Sequence, residues 1–279
     1  MFRDLSFGQY YPASSFLHSL DPRTKIVLTI FYIVGIFFVQ SFVQFGIVLL
    51  FLTVAVAASR VPLKSVLKSV KGILFLVIFT CVLNIFFVKS GTILVEWWII
   101  RITDQGLYFA AKMALRLLLI VIGASLLTFT TPPVVLTNGI EKLLSPLAVV
   151  HFPVHEFALI MSITLRFIPV LTEETDRIVC AQKARGADFD TGNLLQRAKA
   201  FVPILIPLLI GALRRADELA LAMDSRCYHG GKGCTKMKVL KFGLRDVVAT
   251  FVILVAFVSI FLMNYFYAEL YPQFPWLFL

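Results

Sequence analysis

IVLTIFYIVGIFFVQSFVQFGIVLLFLTVAVAAS, residues 26–59, runs for 34 residues without a charged side chain. One membrane span needs about 20 residues, so the stretch is too long for one crossing. Gln40-Ser41 interrupts it. The run is therefore expected to form two short helices, 26–39 and 42–58, joined by a tight turn. Three further apolar runs are expected to span at 70–88, about 105–130 and 246–267.

The composition agrees. Of 279 residues, 59% are hydrophobic, 15% are charged and 27 are Phe, and the mean hydropathy is +0.89. Soluble domains average roughly 45–50% apolar and about 25% charged. The net charge of +10 admits a nucleic-acid reading, but no basic run is interleaved with aromatics on a soluble module. Basic loops that orient a membrane protein explain it better. Cys81, Cys180, Cys227 and Cys234 contain no CxxC pair, so neither a zinc site nor a disulfide framework is indicated. Reduced thiols fit a cytoplasmic face. The start, MFRDLSFGQYYP, has no apolar stretch behind a basic one, and no cleaved signal peptide is expected.

Lys and Arg counts near the span ends give the topology. Residues 1–25 carry three, the turn at 40–41 none, 59–71 four, 89–104 two and 131–245 fifteen, with none after Arg245. This alternation puts the N-terminus, 59–71 and 131–245 in the cytoplasm, and five spans leave the C-terminus outside. The chain divides into membrane helices at 1–130, a cytoplasmic module at 131–245, and a last membrane helix with an external tail at 246–279. Lys112 and Arg116, four apart in the fourth span, share a helix face. A structural role or a place on a transport path are both open to them.

Residues 131–245 hold ten acids beside the fifteen bases, and are too rich in Leu, Ile and Phe to be a disordered tail. Three helices are expected. The first, TTPPVVLTNGIEKLLSPL, opens with Thr131 as N-cap and Pro132-Pro133 in the first turn. The others cover about 154–186 and 192–228. These two share a repeat: shifted by 41, Asp176 falls on Asp217, Ala181 on Ala222 and Arg185 on Arg226. Each begins apolar and ends polar. Pro169, Pro203 and Pro207 lie in the apolar halves, where bends or breaks are expected. The apolar halves are short for a span and read as amphipathic helices along the membrane. The fold class is thus all-α: a polytopic membrane protein with about five transmembrane helices and an interfacial module of long kinked helices.

Familiar chemistry is missing. No nucleophile motif, P-loop, HExxH or GxGxxG occurs, and GGKG at 230–233 lacks the phosphate-loop spacing. His151 and His155 could face one way as metal ligands, but Pro153 lies between them, which favours a loop or capping role. Apart from Asp246 at the very start of the last span, no acid lies inside the spans to relay protons. The chain is expected to be neither an enzyme nor an ion-coupled carrier. What stands out is the pair Ala184-Arg185-Gly186 and Ser225-Arg226-Cys227. One reading is a cation at a helix C-terminus. The other is a guanidinium inserted into a partner's groove, with small neighbours giving it access and its planar fork meeting carboxylates or carbonyls.

These paired triplets resemble the two X-Arg-X motifs of EcfT, the transmembrane coupling subunit of energy-coupling factor transporters. HSLDPRTK at 18–25 is similar to that family's N-terminal signature, TTPPVVLTNGIEKLLSPL to its first coupling helix and LRFIPVLTEETDRIVCAQKARG to its second. The resemblance covers nearly the whole chain. It implies a non-catalytic subunit of an ABC importer in the cell membrane, binding no cofactor itself because ATP is held by its partners. Those partners would be two ABC ATPases, of EcfA and EcfA′ type, and a substrate-capturing S-component of EcfS type, serving vitamin or micronutrient uptake. Nucleic acid is not among them. Arg185 and Arg226, with Ala184, Gly186, Ser225 and Cys227, would each dock on one ATPase. Phe167, Ile168, Leu171, Ile204, Leu205, Leu208 and Leu209 would form the platform for the S-component, with Pro169, Pro203 and Pro207 as hinges. The rival readings are a conventional permease with its own substrate path and a membrane enzyme.

Overall fold

Asp21-Pro22 sets where the first helix begins. The Asp21 carboxylate accepts a hydrogen bond from the Arg23 amide and so caps α1, Pro22–Phe37. Proline in the first turn forfeits no helical bond. The computed structural model describes residues 10–88, 92–97, 100–146, 153–187, 189, 194–230 and 242–270. Among the described residues the further elements are α2 Phe42–Ser59, α3 Leu63–Phe87, β1 Ile93–Trp97, β2 Ile100–Thr103, α4 Asp104–Thr130, α5 Pro133–Leu144, α6 Val154–Ala184, α7 Leu194–Asp224 and α8 Leu244–Leu270. The chain is a helical, polytopic membrane protein. A short antiparallel hairpin, β1 to β2, pairs Glu96 with Arg101 and Trp97 with Ile100. It replaces the plain connector expected between the third and fourth spans.

α2, α3, α4, α6 and α8 as far as Phe266 are each long and apolar enough to cross a membrane. The number agrees with the expected five, but α6 takes the place of α1. α1 has only 16 residues, about 24 Å of rise against a hydrocarbon core of about 30 Å. α6 qualifies because it runs unbroken for 31 residues, Pro169 included, so its apolar half is extended by the turns that follow. α7 likewise continues through Pro203 and Pro207. The prolines do not break either helix. Each leaves a carbonyl one turn back without its usual donor.

The described chain forms two compact units, one within 140–239 and the other made of residues up to 139 together with those from 240 on. The core of the second gathers Ile36 from the end of α1, Val39 from the turn after it, Phe45, Val48 and Leu52 from α2, Leu119 and Leu126 from α4, and Ile260 from α8. α1 and α4 approach closely at Gly123, where an added Cβ would lie 2.1 Å from the Tyr32 ring. The Tyr32 hydroxyl donates to the Leu119 carbonyl at 2.9 Å, which holds that ring in place. Gly123→Ala is expected to lower stability by about 1–3 kcal/mol, an overpacking cost that outweighs alanine's better helix propensity. The thermal midpoint of the purified chain checks it.

The turn at 40–41 is held by a side chain inside α2. Gln44 is fully buried. Its Oε1 accepts from the Gln40 and Ser41 amides at 2.8 and 3.1 Å, and its Nε2 donates to Asn264 Oδ1 at 2.8 Å and the Ile260 carbonyl at 3.4 Å. Asn264 Nδ2 donates to the Phe38 carbonyl at 2.8 Å. Arg116 completes the clamp by donating to the Val39 carbonyl at 2.8 Å, with its guanidinium 5.9 Å from the Phe37 ring. Lys112 sits 4.5 Å from the Tyr108 ring. These contacts favour the structural reading of the two in-span cations: Arg116 satisfies the Val39 carbonyl in the turn between α1 and α2.

The HSLDPRTK stretch forms a buried junction. Lys25 Nζ donates to the carbonyls of His18 and Thr130 at 3.2 and 3.1 Å and to Thr131 Oγ1 at 3.3 Å. The Asp21 amide donates to Asp246 Oδ1 at 2.8 Å, and the Gly243 amide to Asp246 Oδ2 at 2.8 Å. The starts of α1 and α8 are thereby tied to the end of α4. This overturns the expected N-cap of α5. Thr131 is the C-cap of α4 and accepts from Lys25, while the Pro132 carbonyl takes the first bonds of α5, from Val135 and Leu136.

Candidate functional site

The repeat of 41 residues is realised as matching backbone at two helix ends. At the end of α6 the Gly186 amide donates to the Lys183 carbonyl at 3.0 Å and the Ala187 amide to the Gln182 carbonyl at 3.0 Å. At the end of α7 the Cys227 amide donates to the Asp224 carbonyl at 2.9 Å and the Tyr228 amide to the Met223 carbonyl at 3.1 Å. Adding 41 to every residue of the first pair gives the second. Both are the same C-terminal motif, in which the last carbonyls are met by amides that fold back over the helix end.

The motif explains part of the small-residue pattern. Its closing position is left-handed, and φ is +88° at Gly186 and +57° at Cys227. Glycine takes that conformation freely, whereas other residues do so at a cost. The residue after each arginine is thus constrained by the backbone as well as by access. Each arginine occupies the position just before it, beside the negative end of a helix dipole. Ala184, Arg185, Gly186, Ser225, Arg226 and Cys227 are all exposed. Neither guanidinium has a hydrogen bond or ion pair with a described residue. Gly186→Val is expected to strain the α6 tip by about 1–2 kcal/mol, because no contact around Gly186 forces the issue and only the backbone angle does. Limited proteolysis should then cut faster after Lys183 or Arg185, with the membrane helices unaffected.

α6 and α7 pack together at equivalent points of the repeat. Glu174 forms an ion pair with Arg215, and 174 shifted by 41 is 215. A Cβ on Gly211 would come within 3.0 Å of the Glu174 carboxylate, so glycine leaves room for the pair. From Glu174 to Arg185, and from Arg215 to Arg226, is eleven residues, about 16 Å at helical rise. The two arms beyond the meeting point are therefore equal in length. The sequence reading missed this pair, and its signal was the opposite charges at one repeat position.

The expected platform residues are not alike. Leu205 and Leu209 are exposed at 57% and 62%, whereas Ile204 is buried at 3%. Phe167, Ile168, Leu171 and Leu208 are half-buried. The apolar face that α7 does present carries Leu205, Ile206, Leu209, Ile210 and Leu213, recurring at helical spacing. On α6, Phe157, Ile160, Met161 and Val170 are exposed.

His155 Nδ1 lies 3.5 Å from Glu141 Oε1, and Pro153 precedes the first turn of α6. His151, Cys234 and most of GGKG lie outside the described residues. No group of three metal-ligating side chains occurs among the described residues.

Residues 13–237 match the family model described as CbiQ, cobalt transport protein. The chain is 50% identical over 265 residues to the energy-coupling factor transporter transmembrane protein EcfT of Ruminiclostridium cellulolyticum, covering 95% of this chain and 99% of that one. It is 49% identical to the protein of the same description from Clostridium kluyveri, over 91% of this chain and 95% of that one. The corresponding protein of Listeria innocua is 42% identical over 88% and 93%.

Proposed function

From the premise that the chain belongs to the CbiQ family of cobalt transport proteins, and within it to the energy-coupling factor transporter transmembrane proteins EcfT, we propose that it couples two ATPase subunits to a substrate-binding membrane subunit. It is itself non-catalytic in this reading. The cargo is a vitamin or other micronutrient, captured by the membrane partner. The N-terminus and the α5–α7 module face the cytoplasm, where the ATPases are.

The observation that carries the proposal is the matched pair of arm tips. Two helices end in the same backbone motif, each presenting one exposed arginine. A pair of equivalent tips fits a pair of similar partners, one groove to each arginine. A guanidinium offers five donors in a rigid fork, and an acidic or carbonyl-lined groove matches it. The equal arm lengths suit a lever that moves both partners by like amounts.

The α7 face at 205–213 is the proposed platform for the substrate-binding subunit. An apolar surface of this kind is covered by lipid or by protein. Leu205→Asp with Leu209→Asp is expected to weaken capture of that subunit at least tenfold, since each places a charge in an apolar contact. Pull-down of the substrate-binding subunit is the readout, and undiminished capture would count against the platform. The test of the whole reading is co-purification of the tagged chain in mild detergent. Two ATPases and one small membrane protein should come with it. A substrate bound by the chain alone, with no such partner, would instead point to a permease.

A further inference from the structure

α2 and α8 are joined at one end and part at the other. Gln44 ties them through Ile260 and Asn264. Toward Ala58 on α2 and Val248 on α8 they become the opposite walls of a cavity of about 270 Å³, open on one side. Its floor is Leu28 and Tyr32 of α1 and Leu126 of α4. A smaller cavity of about 30 Å³, lined by Ile47, Val48 and Ile260, prolongs it toward the joined end and shares Tyr32, Phe51 and Ile253 with it. The two make one groove parallel to the helices. Leu28, Leu52 and Leu126 at its base are buried, while Val54 and Val252 at its rim are 61% and 46% exposed.

The dimensions select the occupant. From Ile47 to Ala58 on α2 and from Val248 to Ile260 on α8, helical rise gives a length of about 17 Å. One leaflet of the hydrocarbon core is about 15 Å deep. Spread over that length, a volume of about 270 Å³ leaves a mean section of roughly 16 Å², room for one hydrocarbon chain and far less than a helix about 10 Å across needs. The lining is aliphatic and aromatic apart from Lys25, Thr29, Tyr32 and Thr130. Lys25 and Tyr32 already donate to protein acceptors, as does Thr29, whose hydroxyl donates to the Lys25 carbonyl. At the open end both walls run into an arginine. Arg60 follows Ala58 and Ser59, Arg245 precedes Val248, and both are exposed. Two guanidiniums at the polar end of an apolar groove complement a phosphodiester.

We propose that this groove is a phospholipid site. It holds one acyl chain of the leaflet on the Lys25 side, with the lipid phosphate between Arg60 and Arg245. The lipid fills what would otherwise be an apolar void between α2 and α8, and it makes the packing of these helices depend on the bilayer.

Native mass spectrometry of the full chain, purified in mild detergent with its bound partners, tests the site with phosphatidylglycerol as the probe. One retained lipid per chain is expected. Ala55→Phe with Ala249→Phe plugs the groove and should lower retention at least about tenfold, the worth of roughly two buried methylenes. Arg60→Gln with Arg245→Gln should lower it severalfold while leaving the groove open. Leu76→Phe, on the exposed face of α3, serves as the control and should change nothing. Should the plugged variant not fold, Ala58→Trp and Leu76→Trp in phosphatidylcholine vesicles holding a small fraction of brominated phosphatidylglycerol give the second readout. Ala58→Trp should be quenched more strongly than Leu76→Trp, because the groove enriches the brominated lipid whereas the exposed face of α3 meets it only at its bulk share. No retained lipid in the unmodified chain, retention unaltered by the plug, equal quenching at the two positions, or a partner side chain filling the groove in the assembled transporter would each overturn the proposal.

Discussion

Reversing the charge at both arm tips, Arg185→Glu with Arg226→Glu, is expected to abolish co-purification of the ATPase subunits while the membrane helices still fold. Both side chains are exposed and lack a partner among the described residues, so the chain itself loses little, within about 0.5 kcal/mol for such surface changes. The interface loses much more. Truncating a buried interfacial arginine commonly costs about 2 kcal/mol or more. Two such losses amount to about 4 kcal/mol, close to a thousandfold in affinity, and reversal adds repulsion where a groove is built for a cation. If each tip docks one partner, as proposed, each single reversal should release one ATPase more readily than the other. The measurements are the stoichiometry of the pull-down and the thermal midpoint of the chain. Both ATPases recovered at normal stoichiometry with an unchanged midpoint would sink the docking proposal.

Lys25→Met is expected to destabilise the chain by about 3–5 kcal/mol, the cost of removing one member of a buried charged group. Lys25, Asp21 and Asp246 are only 8%, 6% and 4% exposed; burial lowers the Lys25 pKa to about 8, while Asp246 and Asp21 act the other way and favour the ammonium. Without the ammonium, the buried Asp246 carboxylate keeps only its two amide donors among the described residues, and Asp21 keeps Arg23 as its one cation there. The Thr130 carbonyl and Thr131 hydroxyl also lose their donor. These atoms sit where α4 hands over to α5. The yield of monodisperse protein and its thermal transition give the measure. Arg23→Ala, at a less buried neighbour, should cost far less. Equal effects from the two substitutions would show that Lys25 is no keystone of the junction.

Legibility differed by the kind of information each feature needs. The helices within 26–59 could be read because lack of charge over a bilayer's width is a local property of the chain. The tip arginines could be read because a repeat is visible without coordinates. α3 was expected from residue 70 but begins at Leu63. Nothing in LKSVLKS opposes a helix, and a charge count near a span end does not say where the helix starts. The buried state of Ile204 was not legible either, since its neighbours in sequence are as apolar as it is and most of them are exposed. Gln44 and Asp246 carry no local mark of their roles. Their partners are 216 and 225 residues away.

The sequence by itself determined the membrane class, the family resemblance and the pairing of Arg185 with Arg226, because hydrophobic run length, motif order and repeat offset are written along one dimension. Only the tertiary structure decided that the residues after those arginines close a left-handed turn, that Arg116 serves the α1–α2 turn, and that HSLDPRTK folds into a buried junction with Asp246. Those facts depend on which distant atoms meet. A buried polar group is defined by the partner that satisfies it, and that partner is chosen by the fold.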